Sequence, residues 1–172
     1  MDELTLHELA RLEAERKLTT LPAAVLESAW VREAQIEAVI DAVLVVGLGH
    51  PAAIAEARHT GEWCARIAGS LAEGPDPALA RRAGVLSTID AAKLEQIPEL
   101  RHIAEKAQKP PIAAIVEVAR DFASRIAPDA DGRAISPRVI LRAMSDAADA
   151  RTQPIIEALQ TALVGPRHAR VA

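Results

Sequence analysis

Few side chains in this chain are candidates for a nucleophile or a metal ligand, and they are spread along the sequence. The single cysteine, Cys64, and the nearest histidine, His59, are five positions apart, which places them about 140° apart around a helix. A thiol nucleophile needs a base within hydrogen-bonding reach, so this spacing favours a small buried Cys64 over a catalytic one. His59 is only a weak candidate ligand for a metal or a phosphate. The other histidines lack Cys or carboxylate neighbours at ligand spacing and are expected at the surface: His7, His50, His102 and His168.

Two short motifs imitate ligand-binding loops. Residues 42–52, Ala-Val-Leu-Val-Val-Gly-Leu-Gly-His-Pro-Ala, resemble a strand followed by the G-x-G-x-x-A turn that binds a dinucleotide pyrophosphate. That site needs a second parallel strand, and the corresponding residues 65–71 are amphipathic instead, which favours a helix with a glycine cap. Residues 129–132, Asp-Ala-Asp-Gly, resemble a calcium loop but have Arg138 where the closing Glu should stand, which favours a plain turn.

The composition argues against a nucleic-acid-binding or membrane-spanning protein. The 172 residues are enough for one domain with a compact core and an appendage. The net charge of −4 is mixed along the chain and aromatic residues make up 2%, which argues against nucleic acid as a partner. The longest apolar run, residues 42–48, is far shorter than the ~20 residues of a membrane span. With a lone cysteine and no secretory leader pattern, we expect a cytoplasmic protein.

The positions of helix-capping residues, prolines and glycines predict an all-α fold. A capping box at residues 5–8 opens a helix to about Leu18, and Thr20 and Pro22 open a longer one that stops at Gly47-Leu48-Gly49. A third helix is predicted from about Ala53 to Leu71, and the breaker at residues 74–77 begins a fourth through Leu86. Further helices are expected to start near four prolines, because proline is tolerated in a first helical turn: Pro98, Pro111, Pro137 and Pro154.

Five segments carry a family pattern in chain order: residues 59–68, 83–86, 97–104, 115–122, and 136–137 with 153–159. Together they resemble the HD superfamily of metal-dependent phosphohydrolases, and within it the HD-GYP branch that degrades cyclic dinucleotides. The resemblance covers residues 36–163 and implies an HD-domain-like helical bundle. In that family the first segment bears a metal-binding His, the second leads into a His-Asp doublet, and the fourth bears the last metal-binding Asp.

Against that resemblance, most of the metal ligands are missing. Of the family's ligands only His59 has a counterpart, since Ser87-Thr88 stands at the doublet and Arg120 at the late Asp. Neutral hydroxyls are poor ligands for a transition metal, and a guanidinium repels a cation. Asp121 is adjacent to Arg120, but one helical residue rotates it about 100° away from the ligand face. Pro110-Pro111 replaces the Gly-Tyr-Pro loop. We therefore expect no catalytic residues, no bound metal and no cofactor.

The sequence thus predicts a non-catalytic, HD-like regulatory or protein-interaction module. Its expected organisation is an N-terminal helical extension (1–34), a degenerate HD-like domain (35–166) and a C-terminal tail (167–172). A partner protein, a homodimer through the leucine stripe of the first helix (Leu6, Leu9 and Leu12), and a nucleotide effector bound at the degenerate site are the expected interactions. The positions of that site are His59, Ser87, Thr88 and Arg120. The alternative is a surviving phosphohydrolase or cyclic-dinucleotide phosphodiesterase that uses His59, Asp90 and Asp121 in an altered metal site.

Overall fold

The described part of the chain folds into α-helices joined by short turns. The computed structural model describes residues 29–128 and 131–164, and side chains from residue 32 onward. Within these ranges there are eight helices and no strand: α1 (Ala29–Leu48), α2 (Pro51–Ser70), α3 (Pro77–Leu86), α4 (Ala91–Glu95), α5 (Pro98–Ala107), α6 (Ile112–Ile126), α7 (Pro137–Ala147) and α8 (Gln153–Val164). The expected all-α class is confirmed.

The helices begin and end close to the predicted capping and helix-breaking residues. Gly49 has a φ of 66°, the left-handed conformation that glycine adopts at little cost, and it ends α1 directly after Leu48. The next helix, α2, begins directly after His50. The His50 Nδ1 caps it by accepting a hydrogen bond from the Ala52 N–H at 3.3 Å. Residues 42–46 are therefore helical, and the strand of the dinucleotide-binding alternative does not form. Asp76 and Asp90 cap α3 and α4 in the same way as His50 caps α2.

Two hydrophobic clusters make up the core. The first lies among α2, α6, α7 and α8 and is centred on Phe122, Ile67 and Leu159. The second joins α1, α3, α4 and α5, with Val43, Leu44 and Leu100 fully buried. Val116 of α6 packs against both clusters, and α2 contributes Ile67 to the first and Ala57 to the second. The helices α2 and α6 thus form the boundary along which the two halves of the core meet.

Two glycines set the close approach of α2 and α3. A Cβ placed on Gly84 would lie 2.5 Å from the Cys64 Sγ and 3.0 Å from the Cα of Gly61. A Cβ on Gly61 would collide with Val85 Cγ2 and lie 2.8 Å from the backbone oxygen of Arg81. Because neither position has room for a side chain, the two helix backbones pack directly against each other.

A network of ion pairs connects α1 and α3. The Arg82 guanidinium, 11% exposed, donates to Glu37 at 2.8 Å through Nε and to Glu33 through its terminal nitrogen. Arg81 donates to the same Glu37 carboxylate at 2.7 Å. Burial raises the pKa of Glu37, but the hydrogen bonds and charges of Arg82 and Arg81 outweigh it and hold this pKa below its ordinary value.

We expect the Glu37 carboxylate to make stability depend on acid pH. Since the folded protein releases the Glu37 proton more readily than the unfolded chain, this contribution is present above the ordinary pKa of 4.5 and is lost as pH falls below it through the lowered folded value. Denaturant titrations across this pH window should show a shallower loss for Glu37→Gln than for the wild type. Glu105→Gln, at an exposed position on α5, should keep the wild-type slope. An unchanged slope in Glu37→Gln would contradict the assignment.

The proposed division of the chain stays a prediction. The boundary at residue 34 falls inside α1. The leucine stripe of Leu6, Leu9 and Leu12, the tail from 167 to 172, and the Asp129-Ala130 part of the proposed turn lie outside the described residues. None of the described helices combines the length and hydropathy needed to cross a bilayer.

Candidate functional site

A cleft of about 440 Å³ opens between α2, α6 and the end of α3. Thr88 and Arg120, two of the four residues expected at the degenerate site, line it. The other lining residues are Glu56, Thr60, Ala113, Val116, Glu117, Asp121 and Ser124. The structure therefore places Thr88, which follows α3, and Arg120 of α6 in the same cleft.

Helical periodicity places these side chains in the cleft. Glu56 and Thr60 are four residues apart on α2 and so lie on one face. On α6 the apolar residues Ile115, Val118 and Phe122 are buried, while the cleft residues occupy the intervening positions on the opposite face. Burial of one face of α6 in the core thus fixes the orientation of its polar face.

The charges of the cleft are of both signs. Asp121 Oδ1 accepts a hydrogen bond from Arg125 Nε at 2.7 Å, and this contact raises the pKa of Arg125. Glu56, Glu117 and Arg120 make no ion pair within the described ranges. No group of three His, Cys, Asp or Glu side chains in residues 29–128 and 131–164 has the arrangement of a metal site. The cleft offers carboxylates, a guanidinium and hydroxyls to a ligand.

His59 lies outside the cleft. Its Nε2 accepts a hydrogen bond at 2.9 Å from the indole Nε1–H of Trp63, one turn further along α2. Accepting this bond occupies the lone pair of Nε2, the atom that would otherwise be free to bind a metal or, when protonated, a phosphate. The buried residue that faces the cleft from this part of α2 is its neighbour Thr60, which is 4% exposed.

Ser87 is the C-cap residue of α3. Its Oγ donates to the Gly84 carbonyl at 2.8 Å, three residues back. Ser87 lines a second pocket of about 200 Å³ that adjoins the cleft, and Arg120 and Val116 line both cavities. Ser87 and Thr88 therefore line different cavities, and Arg120 lines both.

Two other candidates have structural roles, as predicted. Cys64 is fully buried, and burial raises the pKa of its thiol to about 12, so the thiolate needed for nucleophilic attack does not form near neutrality. Asp90 Oδ1 accepts from the Ala92 N–H at 2.9 Å and caps α4. His50 and His102 are exposed, in agreement with the expected surface positions.

One expectation about the site is wrong. Asp121 was expected to point away from the face of Arg120, yet both residues line the cleft. The cleft is wide enough to span two adjacent positions of α6, so a rotation of about 100° does not remove Asp121 from it. Sequence reasoning also missed Glu56, Thr60 and Glu117. Their signal was the four-residue spacing of Glu56 with Thr60 and of Glu117 with Asp121 on helices whose other faces are apolar.

Comparison with known proteins gives no relative. No family model matches this chain, and neither the curated proteins nor the solved structures contain a significant match.

Proposed function

We propose that this chain is a non-catalytic regulatory module, built on an HD-like helical bundle, that acts by binding a partner or effector at the cleft. The observation that carries the proposal is the chemistry of the cleft at the position where the family resemblance places a metal centre. Thr88 and Arg120 stand there with open polar groups. A guanidinium that is always protonated is suited to binding a ligand and unsuited to coordinating a cation.

The side chains that the alternative phosphohydrolase would use already make other hydrogen bonds. His59 accepts the Trp63 indole N–H, Asp90 caps α4, and Asp121 pairs with Arg125. Of these three only Asp121 lines the cleft. The three residues therefore do not converge on one site in this structure, and this supports binding as the function.

The position of the cleft fits a regulatory role. Its walls come from α2 and α6, the helices at which the two hydrophobic clusters meet. A ligand in the cleft would contact both walls, and any ligand that binds only the folded state stabilises it by mass action. Occupancy of the cleft would therefore tighten the junction between the two halves of the core.

Metal analysis tests this function. Protein purified without chelators and then equilibrated with Mn²⁺, Fe²⁺ or Zn²⁺ should retain far less than one ion per chain after desalting, because the carboxylates of the cleft are not arranged to hold a metal together. His59→Ala serves as the matched variant. A near-stoichiometric metal that disappears in His59→Ala would contradict the proposal and favour the phosphohydrolase.

A further inference from the structure

Opposite charges line the cleft without neutralising one another. Glu117 and Arg120 are three residues apart on α6, a spacing at which opposite charges commonly pair. Neither forms an ion pair or a hydrogen bond with any described residue, and the same holds for Glu56 across the cleft. The cleft thus presents an open cationic group and two open carboxylates.

Thr60 adds a polar group at the base of the cleft. Thr60 is 4% exposed as a residue and lines the cleft, and its hydroxyl makes no hydrogen bond with another described residue. Because no fully buried side-chain nitrogen or oxygen in the described residues lacks a partner, this hydroxyl must reach the surface of the cleft. The hydroxyl of Thr60 is therefore placed to bond with whatever occupies the cleft.

An apolar pocket adjoins these polar groups. It has a volume of about 200 Å³ and shares Arg120 and Val116 with the cleft. Most of its other walls are aliphatic, among them Leu86, Ile89 and Ile103, and Ser87 and Gln108 are the polar side chains there. Arg120 therefore stands where a polar cavity and an apolar one meet.

We propose that the cleft and this pocket together bind a small zwitterion with an apolar side chain, of the class of the aliphatic α-amino acids. The ligand carboxylate pairs with Arg120, its ammonium group faces Glu117 and Glu56, and its side chain enters the aliphatic pocket. The inference rests on the proposed function and names the ligand of the same site. A nucleotide brings several negative charges into a cleft that also holds Glu56 and Glu117, and a purely cationic ligand leaves Arg120 unpaired, so neither complements the charges of the cleft as a zwitterion does.

Calorimetric titration of the full chain with L-leucine tests this ligand class. We expect saturable binding of one leucine per chain. Leucinamide lacks the carboxylate and N-acetyl-leucine lacks the ammonium, so each should bind about tenfold more weakly or worse, because a charge-assisted hydrogen bond is lost. Glycine keeps both charges but lacks the apolar group, and it should also bind more weakly.

Two variants locate the site. Arg120→Gln and Glu117→Gln should each weaken leucine binding about tenfold. Both positions are exposed, so the thermal unfolding curves of the unliganded variants should stay close to that of the wild type. Arg142→Gln on α7 and Glu105→Gln on α5 are matched controls at exposed positions outside the cleft and should bind leucine normally.

The outcomes separate this inference from the proposed function. Leucine binding that survives Arg120→Gln, or no leucine binding at all, overturns the zwitterion site. Binding of ATP or a cyclic dinucleotide that depends on Arg120, without leucine binding, also overturns it, but leaves the regulatory module standing. Metal-dependent turnover of a phosphate ester would instead overturn the proposed function.

Discussion

Replacing Phe122 by alanine should lower the free energy of unfolding by about 3–5 kcal/mol, the range typical of a buried Phe. Phe122 is 0% exposed, and its ring packs edge-on against Trp63 with 5.0 Å between the centroids and 86° between the planes. The truncation removes this contact and leaves a cavity between α2 and α6. Urea titration followed by circular dichroism measures the loss directly.

Phe122→Leu is the control for this cavity. Leucine refills part of the volume, so the loss should be clearly smaller than in the alanine variant. If Phe122→Ala unfolds at the wild-type urea midpoint, α6 does not pack on α2 as described, and the cleft between them loses its structural basis.

Replacing Gly61 by alanine should cost about 2–3 kcal/mol of stability, toward the upper part of the range for overpacked cores. The new methyl group would collide with Val85 and lie 2.8 Å from the Arg81 backbone oxygen, which cannot rotate away as a side chain would. The helices α2 and α3 would have to separate. Thermal and urea unfolding of the variant would both report this change.

Gly69→Ala is the matched control in the same helix. A Cβ at Gly69 would meet only Pro77 Cγ at 3.8 Å, an ordinary contact. Because alanine has the higher helix propensity, Gly69→Ala should be neutral or stabilising by up to about 0.5 kcal/mol near the helix end. Equal destabilisation by the two substitutions would show that the close packing at Gly61 is not what matters.

The helices were predictable because their ends depend on local chemistry. Proline begins α5 and α7, and Asp90 caps α4 through a bond to a residue two positions away. Gly47 and Gly49 predict the end of α1, and Gly49 adopts the left-handed conformation there. The apolar run at residues 42–46 was the ambiguous element, since a buried helix and a buried strand share that pattern.

The site was only partly predictable, because its members meet across helices. The sequence predicts Thr88 and Arg120 as members of one site, and both line the cleft. Which residue of α2 faces them depends on how that helix is rotated against α6. Packing of Trp63 on Phe122 sets that rotation, so Thr60 faces the cleft and His59 does not. A contact between two residues 59 positions apart in the chain is not visible in local spacing.

Turnover measured in the presence of added metal tests the central claim, that this fold binds at its cleft without catalysing hydrolysis. The purified chain is incubated with Mn²⁺, Fe²⁺ or Mg²⁺ and with cyclic dinucleotides, nucleoside phosphates and a chromogenic phosphodiester, with Asp121→Asn as the matched variant. We predict rates equal to those of the metal alone for both proteins. Hydrolysis that requires the wild-type protein and metal together, and that falls in Asp121→Asn, would contradict the claim.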